Sequence, residues 1–140
     1  MISVVDSCVA AKWYAPEPDT ALARTLLDHP LIAPDQIRAE VASTLWKKVR
    51  ARELERAQAL RALSHLFRTV KLMPSEPLAD MALELALDLG QPVYDCFFLA
   101  LAQTLNFPLV TADRKLWLRT RRTAFSGLVI LLDNLEQTDD

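Results

Sequence analysis

The sequence predicts an α/β fold with a short, mostly parallel central sheet, helices on both faces and more helix than strand. Three observations predict it. Short apolar runs alternate with longer helical patterns along the chain. These runs are apolar at nearly every position, which is typical of parallel strands buried on both faces. The 140 residues include only two glycines, so helix should dominate, and the length fits one domain over residues 1–140.

The strands and helices can be assigned in chain order. Strands are predicted over residues 2–5, 31–33, 109–112 and 128–132, each of the first three followed directly by a helical pattern. Helices are predicted from residue 7 to about 14, over 20–28 with Asp19 as cap, from 36 to about 50 with Asp35 as cap, from 52 to about 70, from 75 to 89, from 95 to about 105, and briefly after Asp113. The sixth helix is so apolar that we expect it to pack centrally, and Gly90 is expected to end the fifth.

Composition narrows the class of protein without deciding it. The net charge is −2, but residues 38–71 hold nine Lys and Arg against three acids, and residues 114–122 hold five basic residues and no acid. Lys47, Lys48, Arg114 and Lys115 in these patches are candidate contacts for a phosphate backbone, although solvated helix surfaces explain the charge equally simply. We expect neither a membrane-spanning segment nor a signal peptide, hence a cytoplasmic protein, and no disulfide between the two cysteines.

Two acidic residues follow predicted strands. Asp6 comes directly after the first strand and Asp113 directly after the third. In an open parallel sheet, ligands bind beyond the carboxyl ends of the strands. Both carboxylates are therefore expected to project into this crevice. Taken singly, each is equally well explained as the N-cap of the helix that follows it.

Two further acidic residues lie on predicted helices, close to buried stripes. Glu40 is next to Val41 of the third helix, and Asp95 opens the sixth helix and shares a face with Phe98 and Leu99. A carboxylate that points toward a core must be paired, capped or bound to a cation. The alternatives are a solvated first-turn acid for Glu40 and a helix cap for Asp95.

Considered together, the four carboxylates favour a metal site. Acids that converge on one sheet edge, without a comparable set of bases in the same segments, repel each other unless a cation lies among them. Oxygen ligands in that number suit Mg²⁺ or Mn²⁺ rather than zinc. The sequence therefore predicts a divalent-metal site formed by Asp6, Glu40, Asp95 and Asp113.

Four segments, in order and over essentially the whole chain, match a known family. They are VVDSC at residues 4–8, APD at 33–35 followed by AEVA at 39–42, YDCFFLALA at 94–102, and LVTADRKL at 109–116. With them the chain resembles the PIN-domain ribonucleases, and most closely the VapC toxins of bacterial toxin–antitoxin pairs. The resemblance implies a PIN-like three-layer α/β/α sandwich.

The resemblance also implies a site and a chemistry. In this family one Asp, a helical Glu and two later Asp residues form the acidic site, and they match Asp6, Glu40, Asp95 and Asp113. A hydroxyl residue two before the last Asp often supports the site, and Thr111 matches it. The implied activity is a Mg²⁺- or Mn²⁺-dependent endoribonuclease that leaves a 5′-phosphate and a 3′-hydroxyl.

Partners are implied in the same way. VapC-like proteins usually form homodimers and are neutralised by a small VapB-like antitoxin, often with an Arg that enters the acidic pocket. An electronegative cavity suits a guanidinium group.

Other classes of protein fit less well. A haloacid-dehalogenase-like phosphatase needs an Asp-x-Asp pair, where this chain has Asp6-Ser7-Cys8. A receiver domain needs paired acids near its first strand and a later active-site Lys, and a dinucleotide-binding fold needs glycines that the chain lacks. The alternative that remains is a non-catalytic PIN-like RNA-binding or interaction domain, although such members usually lose one or more of the acids.

Overall fold

A five-stranded parallel sheet forms the centre of the computed structural model, which describes residues 1–135. Its strands are β1 (Ser3–Val5), β2 (Leu31–Pro34), β3 (Val70–Met73), β4 (Leu109–Thr111) and β5 (Val129–Leu131). Their order across the sheet is β3-β2-β1-β4-β5, and each neighbouring pair is parallel. The strand predicted near residues 128–132 is confirmed as β5.

Seven α-helices connect the strands within residues 1–135. They are α1 (Ser7–Ala11), α2 (Thr20–Arg24), α3 (Ile37–Arg50), α4 (Arg56–Thr69), α5 (Ala79–Leu89), α6 (Val93–Leu105) and α7 (Arg114–Thr120). Short 3₁₀ turns span Thr25–Asp28, Glu76–Leu78 and Leu132–Asn134. None of these helices is long and apolar enough to cross a membrane alone, and the one pair that passes such a test jointly is bent by 113°.

The strand order reverses between β1 and β4. From β1 the chain moves outward to β2 and β3, returns across the sheet to β4 and continues to β5. Because crossovers between parallel strands are right-handed, connections that run in opposite directions lie on opposite faces of the sheet. The result is the three-layer α/β/α arrangement that the sequence predicts. The reversal also opens a crevice beyond the carboxyl ends of β1 and β4, where ligands bind in such folds.

Helix α6 packs against the middle of the sheet, as its apolar sequence predicts. It contacts β1, β2 and β4, and Phe98 and Leu99 are fully buried. Burying a side chain of this size contributes on the order of 2 kcal/mol. The start of α6, where Asp95 lies, is therefore held firmly at the rim of the crevice.

The predicted fourth helix is corrected by the structure. The sequence pattern places a helix over residues 52–70, whereas α4 begins at Arg56 and ends at Thr69. Arg52 has a φ of +62° in the turn after α3. Strand β3 starts at Val70 and was not predicted, because the apolar spacing of α4 runs into it without a break. Pairing with β2, a tertiary interaction, makes this segment a strand.

The predicted starts of two helices, α3 and α6, are wrong. The N-cap of α3 is Gln36, while Asp35 accepts hydrogen bonds from the backbone N and hydroxyl of Ser75. Helix α6 begins at Val93 with Pro92 at its cap, so Asp95 lies inside the first turn instead of opening the helix. The predicted end of α5 is confirmed, since Gly90 follows it in the left-handed region, with φ +67°.

Candidate active site

The predicted acids meet at the crevice between β1 and β4. Asp6 directly follows β1, and Asp113 lies two residues after β4. Glu40 is in the first turn of α3 and Asp95 in the first turn of α6. Hydrogen bonds and electrostatic interactions link these side chains in pairs, so all four lie at the same crevice.

Thr111 holds Asp6 in place. Both side chains are buried, and the Thr111 hydroxyl donates to Asp6 Oδ2 at 2.7 Å. The same hydroxyl oxygen accepts from the backbone N of Asp113 at 3.0 Å. Burial, opposed by the Thr111 hydrogen bond and reinforced by the charge of Asp95, raises the pKa of Asp6 to about 6. One hydroxyl therefore links the acids that follow β1 and β4, at the position the sequence predicts.

Glu40 contributes a carboxylate oxygen that has no hydrogen-bond partner in the described part of the chain. Its Oε2 atom is buried and makes no hydrogen bond to the described residues. Burial first, and then the charges of Asp6 and Asp95, raise the pKa of Glu40 to about 7. A buried acceptor without a donor is costly unless a cation or proton satisfies it.

Asp95 and Asp113 are joined through Gln91, a residue that the sequence analysis did not identify. Gln91 Nε2 donates to Asp95 Oδ2 at 3.0 Å and to Asp113 Oδ2 at 3.1 Å. The pKa of Asp95 is raised by burial and by Asp113, while the Gln91 hydrogen bond lowers it. The other oxygen of Asp113 caps α7 by accepting from the backbone N of Lys115 and Leu116. Asp113 is therefore both a helix cap and a member of the acidic cluster.

The cluster fits a hard divalent cation by the chemistry of its donors. It offers carboxylate oxygens, and three of the four acids raise the pKa of another member of the cluster. Among the described residues, Glu40 Oε2 has no hydrogen-bond donor. In their present rotamers, no three His, Cys, Asp or Glu side chains within residues 1–135 converge closely enough to share one ion. Instead Asp6, Asp95 and Asp113 are each engaged by a neutral hydrogen-bond donor, Thr111 or Gln91.

The four basic side chains predicted to contact RNA are arranged differently from one another. Lys48 lines a pocket of about 350 Å³ beside Asp113, together with Lys12, Glu17 and Thr44. The side chains of Lys47 and Lys115 are exposed, with no contact to the acids among the described residues. Arg114 forms an exposed ion pair with Asp133 at 3.2 Å.

The lysines of this pocket share an acidic neighbour. Glu17 is 2.7 Å from Lys12 and 3.5 Å from Lys48. Lys12 also contacts Asp19, and Lys48 also contacts Glu53. Lys12 was not predicted, because only the fold places the end of α1 next to α3.

Both cysteines are free thiols, as expected. Cys8 Sγ lies 3.8 Å from the Thr111 hydroxyl and accepts from the backbone N of Ala112 at 3.4 Å. Burial and the charge of Asp6 raise the pKa of the Cys8 thiol, so it stays neutral. It supports the loop after β4 without adding a reactive group.

Comparison with known proteins places this geometry in a family. The model of the PIN domain matches residues 3–122. Ribonuclease VapC3 of Pyrobaculum aerophilum is 34% identical over 118 residues, which cover 81% of this chain and 90% of that protein. Exonuclease VapC9 of the same organism is 32% identical over 82 residues, 59% of this chain and 61% of that protein.

Solved structures agree on the fold. A crystal structure of a Pyrobaculum aerophilum protein superposes with a TM-score of 0.76 at 23% identity, covering 99% of this chain and 94% of that one. A toxin–antitoxin complex from Klebsiella pneumoniae superposes with a TM-score of 0.67 at 16% identity, covering 93% of this chain and 97% of that one. With a family match over most of its length and its acids gathered at the expected crevice, this chain belongs to the PIN-domain family.

Proposed function

We propose that this protein is a metal-dependent endoribonuclease and the toxin of a toxin–antitoxin pair. One observation carries the proposal: four acidic side chains lie where the parallel sheet opens, and a buried oxygen of one of them has no hydrogen-bond donor within residues 1–135. Membership of the PIN-domain family and the names of the two VapC relatives support hydrolysis of an RNA phosphodiester.

Each residue of the acidic cluster has a proposed role that follows from its position. Asp6, Asp95 and Asp113 would hold Mg²⁺ or Mn²⁺, which when bound lowers the pKa of a water molecule and stabilises charge on the phosphate. Glu40, with a pKa near neutrality, is suited to bind the metal or to orient and deprotonate water. Thr111 keeps Asp6 oriented toward the crevice.

The substrate proposal rests on the pocket beside Asp113. Lys12 and Lys48 line it, and they provide positive charge next to the acids. An RNA strand that crosses the crevice would place one phosphate among the carboxylates and a neighbouring phosphate near these lysines. Their ion pairs with Glu17 imply that a phosphate competes with this acid for the lysines.

We also propose an antitoxin partner, a homodimer and a cytoplasmic location. The description of the Klebsiella pneumoniae structure as a toxin–antitoxin complex supports the first. Large exposed apolar side chains, including Trp46, Leu60 and Phe67, support contacts with other proteins. Two free cysteines fit a reducing compartment.

The decisive experiment uses a covalently closed circular RNA. Because it has no ends, an endonuclease cuts it and an exonuclease does not, which separates the proposed endonuclease activity from the exonuclease activity for which the relative VapC9 is named. We expect cleavage in the presence of Mg²⁺ or Mn²⁺. Cleavage should stop when EDTA is added and resume when the metal is restored.

Two variants make the experiment specific to the site. Asp6→Asn should lower the cleavage rate at least 100-fold while the protein remains folded. Asp88→Asn, the same change at an exposed position of α5, should leave the rate unchanged. RNA binding without metal-dependent cleavage by the wild-type protein would favour the non-catalytic alternative.

A further inference from the structure

We infer that Gln91 is a positioning residue, which holds Asp95 and Asp113 at a fixed separation and so prepares the acidic cluster for its cation. This inference rests on the proposed nuclease function and assigns a role to a residue outside the four acids. Gln91 lies in the short segment between α5 and α6 and is 5% exposed. A buried amide in a loop needs partners for both its donors and its acceptor.

The two N–H groups of the Gln91 amide have acceptors in the candidate active site. Its single nitrogen carries two hydrogens, and these are directed to Asp95 Oδ2 at 3.0 Å and Asp113 Oδ2 at 3.1 Å. The two acids come from different elements, α6 and the end of β4, so only tertiary structure brings them to one amide. Hydrogen bonds to ionised acceptors are among the stronger ones in proteins.

The orientation of the amide is determined by its neighbours. Arg119 donates to Gln91 Oε1 at 2.7 Å, and a guanidinium group can only donate. Carboxylates at neutral pH only accept. The oxygen must therefore face Arg119 and the nitrogen must face the two acids, because a flipped amide would oppose donor to donor and acceptor to acceptor.

Arg119 also fixes the backbone that carries Gln91. The same nitrogen, Nη1, donates to the carbonyl oxygen of Gly90 at 2.7 Å. Helix α7, which follows Asp113, is thus tied to the segment that precedes Asp95. Arg119 polarises the neutral Gln91 amide, whose N–H groups in turn stabilise the two acids. This limits the repulsion between the acids without placing a competing cation among them.

The consequence is a pair of carboxylates whose geometry exists before any ion arrives. Groups that orient metal ligands typically change metal affinity or activity by about 10–100-fold when they are removed. The amide nitrogen and oxygen of Gln91 are both engaged by protein partners, Asp95, Asp113 and Arg119. Its effect should therefore appear in metal affinity and in kcat, with little change in KM for RNA.

The test compares Gln91→Met with Gln103→Met. Methionine has nearly the length of glutamine but lacks the amide, and Gln103 is an exposed residue of α6, the helix that carries Asp95. Mn²⁺ alone is titrated into each full-length protein and free Mn²⁺ is followed by electron paramagnetic resonance. We expect Kd for Mn²⁺ to rise at least 10-fold in Gln91→Met and to stay within twofold in Gln103→Met. An unchanged or tighter Kd in folded Gln91→Met overturns the inference.

Arg119→Met provides the second arm, and it decides the matter if Gln91→Met does not fold. Arg119 is exposed and makes no hydrogen bond or ion pair with the four acids within residues 1–135, so a weaker Mn²⁺ affinity in this variant has to pass through Gly90 and Gln91, which Arg119 holds. We expect a loss of at least threefold, and no additional loss when it is combined with Gln91→Met. Independent, additive losses, or no loss in Arg119→Met, contradict the action of Arg119 through Gln91.

The two proposals fail in different ways. Wild-type protein that binds Mn²⁺ with the expected dependence on Gln91 but cleaves no RNA contradicts the nuclease function alone. Cleavage and Mn²⁺ binding that are insensitive to Gln91→Met contradict the positioning role alone. A wild-type protein that binds no Mn²⁺ contradicts both.

Discussion

Asp6 and Glu40 are acids whose ionised forms are poorly accommodated by the folded protein without a cation. Asp6 is 3% exposed, and its only side-chain compensation in the described structure is a hydroxyl and a thiol. The partnerless oxygen of Glu40 adds to this cost. Such strain is common where a site is built for a ligand, since the same desolvation that destabilises the free acids strengthens their hold on a cation.

The metal-free protein should therefore lose stability as pH rises. The pKa values of Asp6 and Glu40, about 6 and about 7, lie above the ordinary values of 3.8 and 4.5. Between about pH 4 and pH 7 the folded state binds more protons than the unfolded chain, so the free energy of unfolding falls through this window. For Asp6, a pKa raised from 3.8 to about 6 corresponds to a loss of about 3 kcal/mol in the free energy of unfolding across this window.

Thermal unfolding in EDTA at pH 5 and pH 8 checks this expectation. Wild-type Tm should be higher at pH 5, and the difference should shrink in Asp6→Asn. Asp88→Asn serves as the control and should retain the wild-type difference. Equal pH dependence in all three proteins would show that Asp6 is not strained by burial.

Thr111→Val should show whether Thr111 acts by keeping Asp6 ionised or only by packing. Valine has the shape of threonine but neither donates to Asp6 nor accepts from the Asp113 backbone. Leaving these buried groups unpaired should cost about 1–3 kcal/mol of stability. The pKa of Asp6 should rise further, so the loss of cleavage should be larger at pH 6 than at pH 8.

The conservative variant is the control for this prediction. Thr111→Ser keeps the hydroxyl and should retain most of the cleavage rate at both pH values, since only a methyl group is lost. A pH-independent defect in Thr111→Val would assign the residue a packing role instead.

The four acids could be found from the sequence because each follows a strand or flanks a buried stripe and because their motifs resemble a family. Thr111, the last residue of β4, could be found because the resemblance implies a hydroxyl two residues before the last Asp. Gln91 could not be found in this way. It lies before α6 in a stretch without periodicity, and its partners include Asp113, which is 22 residues away. Hydrogen-bond partners at that separation are set by how elements pack, which single-sequence patterns do not contain.

At the scale of elements, the segment between α5 and α6 contributes both to the stability of the fold and to the geometry of the site. Gly90 ends α5 in the left-handed region, its carbonyl accepts from Arg119, and Gln91 follows directly. Strand β3 illustrates the limit of pattern reasoning at this scale, because its register with β2 overrides a helical spacing. Segments that are decided locally, such as the apolar β1 and β4, were predicted well.

Gly90→Ala should destabilise the fold by about 1 kcal/mol. A Cβ at this position would meet no atom within 4 Å, so the cost comes from the φ of +67° and not from a clash. Gly127→Ala is the matched control, since it also has no neighbour within 4 Å and lacks a positive φ. Urea denaturation of both variants measures the difference, and equal midpoints would contradict the backbone argument.

At the scale of the whole molecule, the net charge of −2 hides a separation of acidic and basic side chains that suits a nuclease. One buried and three half-buried acids occupy the crevice, while lysines line the adjoining pocket and form ion pairs with Glu17. Composition alone predicted a basic surface around residues 38–71 but not which lysine lies near the acids. The fold selects Lys48 and adds Lys12.

Two substitutions at the ion pairs of this pocket should change the affinity for RNA in opposite directions. Lys48→Ala should weaken binding of single-stranded RNA and reduce the slope of log K against log salt by about 0.7, the value expected for one lost phosphate contact. Glu17→Gln should strengthen binding severalfold at low salt, because Lys12 and Lys48 lose a shared competitor for phosphate. Lys71→Ala, at an exposed position on the edge strand β3, should change neither.

Fluorescence anisotropy with labelled RNA, in the Asp6→Asn background so that the RNA stays intact, measures these affinities across a range of KCl concentrations. If Lys48 contacts a phosphate, the effects of Lys48→Ala and Glu17→Gln should both diminish as salt rises, because screening weakens every charge at the pocket. Effects that persist at high salt would mean that the ion pairs shape the pocket sterically. In that case, RNA would have to approach the carboxylates from another side of the crevice.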